Sequence, residues 1–338
     1  MEDVEQLHIH CSTSEAHDEV MQSHANDLLQ LLKSHNVKVL SPTETNQIAS
    51  NCSENSSHRA STSASHPAEL NIAIVHEHLR TKWIGHVLVA LPVTTTTQRI
   101  LRTVMPWCAP GCVAVTGLQS NGRGRRGAVW ESPLGSVAMS IKLNVQITKP
   151  ESLNFLQYIA ALAAVETAKR PWNIPLRVKW PNDIYKDEHK IGGVLCEGVL
   201  CGNKFDVIVG VGLNITNREP TTCLLSEDSV LGREVFIGRY LTEFELLYTE
   251  YCKVGFEGRL KDKYLEAWMH HGQRVRIGGP EGPRAVVHGL APNGWVRVLR
   301  EDTQTVHDLA PEVTSLDMRN GVLKEKLVGP RGQANAGS

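Results

Sequence analysis

The sequence predicts an α+β fold: a central mixed or antiparallel sheet with flanking helices, then a small all-β unit at the C-terminal end. Three observations predict it. Residues 136–145 alternate apolar and polar positions, with Val137, Met139, Ile141 and Leu143 on one face, the period of a half-buried strand. Residues 152–169 place Leu153, Leu156, Ile159, Leu162 or Ala163, and Glu166 at helical spacing, and Pro171 and Pro175 end that run. From Gly272 the texture changes to short strands punctuated by Gly278-Gly279-Pro280 and Pro292-Asn293-Gly294, the pattern of a small β-barrel.

The remaining elements follow in chain order. Residues 1–69 read as an N-terminal extension, largely disordered or linker. One helix is expected near residues 20–34, where Leu28, Leu29, Leu31 and Leu32 give a partial apolar face. Residues 41–66 are rich in Ser, Thr, Asn and His, too polar to offset the entropy of ordering. The main globular domain spans residues 70–271. Its first strand, 87–91, leads into Thr94-Thr95-Thr96-Thr97 and a short helix carrying Ile100, Leu101 and Val104. Further strands fall at 112–116, 176–180, 191–198 and 205–213, the last two a hairpin joined near Gly202-Asn203. Helices are expected over 233–251 and 260–270. The small β domain covers 272–328, with Val275, Ile277, Val286, Val287, Trp295, Val296 and Val298 in strands, and 329–338 is a flexible tail.

Composition narrows the function. Of 338 residues, 41% are hydrophobic and 21% charged, an ordinary globular balance, and the formal net charge is −1. No global field draws this chain to nucleic acid or to a membrane, so any basic function is local. No apolar run reaches the roughly 18 residues that span a bilayer. The acidic start, Met1-Glu2-Asp3-Val4-Glu5, does not resemble a signal or transit peptide, and a cytoplasmic protein is expected. Eight cysteines include no C-x-x-C pair, which reads as reduced thiols. His8-Ile9-His10-Cys11 lacks a second ligand pair at zinc-like spacing, so no metal-ligating residues are assigned.

Chemistry concentrates in the middle of the chain. Residues 122–127 read G-R-G-R-R-G: glycines that let backbone N–H groups approach a ligand, and arginines that match phosphate and carboxylate geometry. Taken alone the run is equally a solvated basic loop or an RGG-like nucleic-acid segment. Three further motifs follow: K-W-P-N-D-I-Y at 179–185, K-I-G-G-V-L at 190–195, and G-V-G-L-N at 210–214. Pro181-Asn182-Asp183 has turn chemistry just after a strand. Gly192-Gly193 and Gly210-x-Gly212 leave two strands bare, which means a bulge or close approach by a ligand; Trp130 is placed to cover that floor. Lys190 is a point charge able to bridge a carboxylate and a phosphate. No Ser-His-Asp or Cys-His set and no Walker A motif is present, so phosphoryl or adenylyl transfer by charge stabilisation fits better than covalent catalysis.

The order of these motifs resembles the biotin protein ligase (holocarboxylase synthetase) family: Thr96-Thr97, then Q-x-x-G-R-G-R-R-G-x-x-W-x-S-P from Gln119 to Pro133, K-W-P-N-D-I-Y, K-I-G-G-V-L and G-V-G-L-N. The likeness covers about residues 85–320, and the wording W-E-S-P is closer to eukaryotic members than to the bacterial repressor type. It implies a class II synthetase-like catalytic domain with an SH3-like β-barrel behind it. It implies two steps: biotin and ATP, with Mg²⁺, give biotinyl-5′-AMP and pyrophosphate, and the adenylate then acylates one lysine of a carboxylase's biotin carrier domain. By motif, Thr96, Thr97, Gln98 and Gln119 would hold biotin's polar head; Gly193, Gly210 and Gly212 would floor it. Gly122, Arg123, Gly124, Arg125 and Arg126 would wrap the carboxylate and α-phosphate. Trp130, Asn182 and Asn214 would place the adenylate. Lys190 would meet the reacting oxygens, and Asp183 would orient the attacking amine.

The chain departs from the family pattern at residues 307–318, H-D-L-A-P-E-V-T-S-L-D-M from His307 to Met318, where H-P-D-G-N-S-F-D-M is usual, and at Gln98, an asparagine in bacterial members. No DNA-binding module is found, and a homodimer stays open. Three other readings stand beside this one: a lipoate–protein ligase, a non-catalytic sensor of biotinyl-AMP, and an RNA-binding protein using the arginine loop. The retained Arg123, Arg125, Asp183 and Lys190 speak against the sensor; the neutral charge and lack of interleaved aromatics speak against RNA.

Overall fold

The computed structural model describes residues 8–11, 68–105, 108–146, 150–226, 229, 232–311, 314–317 and 322–325. The expected helix at 20–34 and the linker at 41–66 lie outside them. The fold is α+β. Strands β1 (His8–Cys11), β2 (Val87–Leu91), β3 (Val113–Thr116), β6 (Ser136–Val145), β7 (Arg177–Lys179), β8 (Asp183–Lys186), β9 (His189–Cys201) and β10 (Lys204–Asn214) form one sheet in the order β1-β2-β3-β6-β10-β9-β8-β7. Among the described residues of this sheet, β2 and β3 run parallel and the other pairs are antiparallel. Strands β4 (Gln119–Arg123) and β5 (Val129–Ser132) form a separate hairpin.

The alternation along β10 explains the layering. Val207, Val209, Val211 and Leu213 face the main core, which includes helix α3 (Asn154–Lys169) and helix α4 (Gly232–Val254). Ile208 faces a second core with Val87, Val89, Leu101, Val104 and Ala114, under helix α2 (Thr97–Val104). Both faces of the sheet are therefore covered. That corrects the half-buried expectation for β6: Ser136, Ser140 and Lys142 are buried too, and Lys142 Nζ donates to the Met105 and Cys108 carbonyls at 2.7 and 2.6 Å. Helix α3, expected to bury one face, is buried nearly all round because the sheet, α4 and α5 (Arg259–Ala267) enclose it.

Phe236, Tyr240, Phe244 and Tyr248 stack at i, i+4 spacing along α4, with ring centroids 6.0–6.1 Å apart. Tyr240 donates to the Ala160 carbonyl of α3 at 3.0 Å. Helix α1 (Ile72–His78) also packs on α4, and the buried Glu245 carboxylate accepts the backbone N–H groups of Lys82, Trp83 and Ile84, shaping the approach to β2. No helix among the described residues is long and apolar enough to cross a membrane.

The second sheet has six strands: β11 (Arg274–Ile277), β12 (Arg284–Leu290), β13 (Val296–Arg300), β14 (Val306–Leu309), β15 (Thr314–Asp317) and β16 (Val322–Glu325), in the order β14-β13-β12-β11-β16-β15. Its outer strands β14 and β15 do not pair, so the expected barrel is an open, SH3-like half-barrel. Trp295, expected in a strand, lies just before β13. The turn at Gly294 docks on the main domain: its carbonyl accepts from Tyr158 OH at 2.5 Å and Trp180 Nε1 at 3.2 Å. Helix α5 stops at Ala267, short of the expected 270, because residues 268–269 pair with β7: Val178 bridges Trp268, and Met269 N donates to Val178 O at 3.0 Å.

Candidate active site

A cavity of about 300 Å³ opens on the α2 side of the main sheet. Its floor is a row of small residues set by strand register: Ala138 on β6 pairs with Gly212 on β10, Gly212 with Gly193 on β9, and Gly193 with Asp183 on β8. A parallel row runs Ser140, Gly210, Leu195. Where Ile208 fills this face with a side chain, Gly210 and Gly212, two and four residues on, leave a trough. A Cβ on Gly210 would lie 2.5 Å from Gln98 Nε2, and one on Gly212 would lie 2.4 Å from Trp130 Nε1.

One end of the trough is a buried polar network. The Thr97 backbone N–H, at the start of α2, donates to Gln119 Oε1 at 2.9 Å. Gln119 Nε2 donates to Ser132 Oγ at 3.1 Å, and Thr97 and Ser140 share a hydroxyl hydrogen bond of 2.8 Å. Gln98 Nε2 donates to the Leu195 carbonyl at 2.8 Å. Gln98 Oε1 and Trp130 Nε1 are buried on the cavity wall without a hydrogen-bond partner among the described residues. One is an acceptor and the other a donor, so both suit a ligand that carries polar groups.

The other end is cationic. Arg123, Arg125, Arg126, Lys179 and Lys190 line the cavity against one carboxylate, Asp183. The expected arginine loop is in fact the tip of the β4–β5 hairpin, with a short 3₁₀ turn at Arg125–Gly127. Arg125 Nη1 donates to Asn182 Oδ1 at 3.2 Å and its Nη2 to the Pro311 carbonyl at 2.9 Å, where Arg126 also donates at 3.1 Å. Asn182 is locked in turn: its Nδ2 donates to Val194 O at 2.6 Å, and Val194 N donates back to its carbonyl at 2.9 Å. Lys190 Nζ sits 2.6 Å from Asp183 Oδ1 and 5.5 Å from the centre of the Trp130 ring. Burial pushes the Cys196 thiol up to about 12 against the pull of Arg125, so it supplies no thiolate.

The structure brings Thr96, Thr97, Gln98, Gln119, Arg123, Gly124, Arg125, Arg126, Trp130, Asn182, Asp183, Lys190, Gly193, Gly210 and Gly212 to this one cavity. Two expected residues lie outside its lining. Gly122 is a packing glycine: a Cβ there would meet the Trp130 carbonyl at 2.3 Å and Gln119 Nε2 at 2.9 Å. Asn214 is buried beyond the floor, holding Thr221 Oγ1 and Thr222 O at 3.2 Å, and Thr221 Oγ1 donates to the Lys190 carbonyl at 2.8 Å. Sequence reasoning missed Ser140, Ser132, Lys179 and Leu195. Ser140 could have been found by placing Gly210 opposite it in the ladder.

A cationic trough on a bare sheet floor, with the Asp183–Lys190 pair at one end, can take a flat ligand that carries an anionic group. The chain matches the model of the Biotin/lipoate A/B protein ligase family over residues 90–214. It is 31% identical over 275 residues to biotin–protein ligase 1, chloroplastic, of Arabidopsis thaliana, covering 76% of this chain and 74% of that one. It is 34% identical over 279 residues to the human biotin–protein ligase, covering 76% of this chain but 38% of the human one. Among solved structures, the biotin protein ligase from Aquifex aeolicus in complex with biotin and ATP is 26% identical with a TM-score of 0.54, over 66% of this chain and 94% of that one. The chain belongs to the biotin protein ligase family, of the eukaryotic type.

Proposed function

We propose that this chain is a biotin–protein ligase: it joins biotin to ATP as biotinyl-5′-AMP, releasing pyrophosphate, and transfers the biotinyl group to one lysine of a biotin carrier domain on a biotin-dependent carboxylase. The observation that carries the reading is the row of small residues Ala138–Gly212–Gly193 running directly into Asp183 beneath Arg125 and Lys190. A flat bicyclic acid lies on such a floor with its carboxylate toward the cations.

In this reading Thr96, Thr97, Gln98 and Gln119 take biotin's polar head, and the orphaned Gln98 Oε1 accepts one of its N–H groups. Arg123, Gly124, Arg125 and Lys190 meet the carboxylate and α-phosphate as charge moves between them; Gly122, Arg126, Trp130, Asn182 and Asn214 shape or support the nucleotide side. Preorganised donors of this kind act at the point where charge develops. Lys190 already has its counter-charge in Asp183 at 2.6 Å, so binding a phosphate exchanges one anion for another rather than desolvating a bare ammonium. Asp183, freed of that pair, orients the attacking lysine amine. The hairpin tip, held by Asn182 and Pro311, keeps water from the mixed anhydride.

Mg²⁺ fits as a companion of the triphosphate rather than as a resident ion. Among the described residues Asp183 is the one carboxylate lining the cavity, and no group of three His, Cys, Asp or Glu is gathered. Mg²⁺ commonly takes one or two carboxylates plus substrate phosphates. A cytoplasmic location, action without nucleic acid or membrane, and the compatibility with a homodimer are carried as part of the same proposal.

The test is a discharge assay. The purified chain is incubated with Mg-ATP and either biotin or lipoate, an apo-biotin carrier domain is added, and the carrier's mass is read. A biotin-sized increase that requires ATP is the expected result. No increase despite tight biotin binding would turn the reading to a sensor, and an increase with lipoate alone would move it to lipoate ligation.

A further inference from the structure

His270 is fully buried, and no step above uses it. It ends the segment that runs beside β7, where Met269 N donates to Val178 O at 3.0 Å. Just past the end of β7, the Trp180 N–H donates to no carbonyl among the described residues. It donates instead to His270 Nε2 at 3.1 Å. The imidazole replaces a ladder carbonyl at the last donor before the turn, since Pro181 has no N–H. Nδ1 lies 3.1 Å from Gln273 Oε1; that contact requires Nδ1–H and leaves Nε2 as the acceptor. Trp268 stands edge-on to the ring at 5.5 Å.

The next two residues after Pro181 are the ones that touch the cations: Asn182 holds Arg125, and Asp183 holds Lys190. Trp180 is held at both ends: its N–H by His270, next to the C-terminal domain, and its indole Nε1 by Tyr158 Oη of α3 at 2.8 Å and by the Gly294 carbonyl of the C-terminal domain at 3.2 Å. We infer that His270 is a positioning residue, which through the Trp180 peptide N–H aims the Asn182–Asp183 turn at the reacting groups and ties that aim to the C-terminal domain. The inference rests on the ligase reading above.

The test uses the full chain preloaded with biotinyl-AMP and mixed with an apo-biotin carrier domain in a single turnover. A first-order rate constant does not depend on how many molecules are folded, so it separates positioning from mere stability. His270→Leu, which removes the acceptor, is expected to slow transfer about tenfold. His270→Gln, whose side-chain oxygen can reach the Nε2 position, is expected to come within about threefold of wild type. Should His270→Leu not fold, His270→Asn, one carbon too short, takes its place. Equal rate constants for wild type and the Leu or Asn variant would overturn the inference, as would a Gln variant slowed as much as they are. A wild type that transfers no biotin would instead bring down the ligase reading, and this inference with it.

Discussion

Trp130 and Gly212 occupy what would be the same space: a methyl group on Gly212 would fall 2.4 Å from the indole Nε1. The strap over the floor and the floor itself are thus mutually exclusive with any side chain at 212. Gly193, one strand over in the same row, differs. A Cβ there would find its nearest neighbour, Asn182 O, at 3.7 Å, ordinary contact. The two glycines therefore predict different phenotypes. Gly193→Ala should keep stability within about 0.5 kcal/mol and raise the biotin KM about tenfold or more, because only the ligand meets the methyl. Gly212→Ala should displace Trp130 and damage both biotin and ATP use. Steady-state pyrophosphate release with thermal melts measures both, and an unchanged biotin KM in Gly193→Ala would remove the floor from the ligand site.

Arg125 bridges the Asn182 side chain and the Pro311 carbonyl, so one guanidinium ties the hairpin tip to the turn and to the C-terminal domain. Arg125→Gly removes both anchors and a charge facing the adenylate. Hydrogen bonds to charged groups contribute about 1.5–3 kcal/mol each, and 1.4 kcal/mol is tenfold in rate or affinity. With two such bonds lost, we expect biotinyl-AMP to dissociate roughly a hundredfold faster or more and to label bystander lysines. Stopped-flow release of the adenylate measures this; a wild-type dissociation rate would show that Arg125 does not hold the loop.

The Lys190–Asp183 pair predicts a division between half-reactions. Lys190→Ala should lower adenylate formation by about two orders of magnitude or more, the scale of losing one preorganised donor. Asp183→Ala should slow transfer more than adenylate formation, since the amine arrives only in the second step. Pyrophosphate release and carrier biotinylation, measured separately, check the pair. A Lys190→Ala enzyme of normal rate, or Asp183→Ala slowed equally in both steps, contradicts the assigned roles.

What could be read from the residues, and what could not, has a physical pattern. Strand β6 carries its own period-2 signal, and its bounds, residues 136–145, are those the alternation predicts. Helix α3 carries a signal too, but its all-round burial comes from three neighbours that no local period reveals. The β4–β5 hairpin looked like a loop because Ser120, Asn121 and Arg123 are exposed and polar, while its pairing is supplied by the partner strand. Strand β8 hides because it is four residues long and follows the turn at residues 180–182 directly. In the site, arginines, lysines and glycines announce themselves by type. Ser140 does not: it matters because register sets it beside Gly210. The edge strand His8–Cys11 pairs with β2 across about 75 residues of chain, a distance at which composition carries no pairing information.

His270 predicts a pH dependence that runs through stability. Burial, the largest cause, brings its pKa down to about 4 from the ordinary 6.5; Lys179 and Arg177 push the same way and Gln273 opposes them. Protonation would also turn Nε2 from acceptor to donor against the Trp180 N–H. The folded pKa lies below the unfolded one, so the unfolded chain binds the proton first as pH falls. The contribution is whole above about 6.5, declines from there to about 4, and is lost below that, a total of about 3 kcal/mol. Carboxylates held low by their cations, Glu166 and Asp308 among them, also lose stability in acid, so wild type alone does not isolate the histidine. His270→Gln has no such proton to take up. Urea unfolding at pH 7, 5.5 and 4.5 should show the wild type losing stability more steeply than His270→Gln across that interval, with the gap opening below 6.5. Parallel pH curves for the two proteins would mean that burial does not hold His270 neutral in the folded chain.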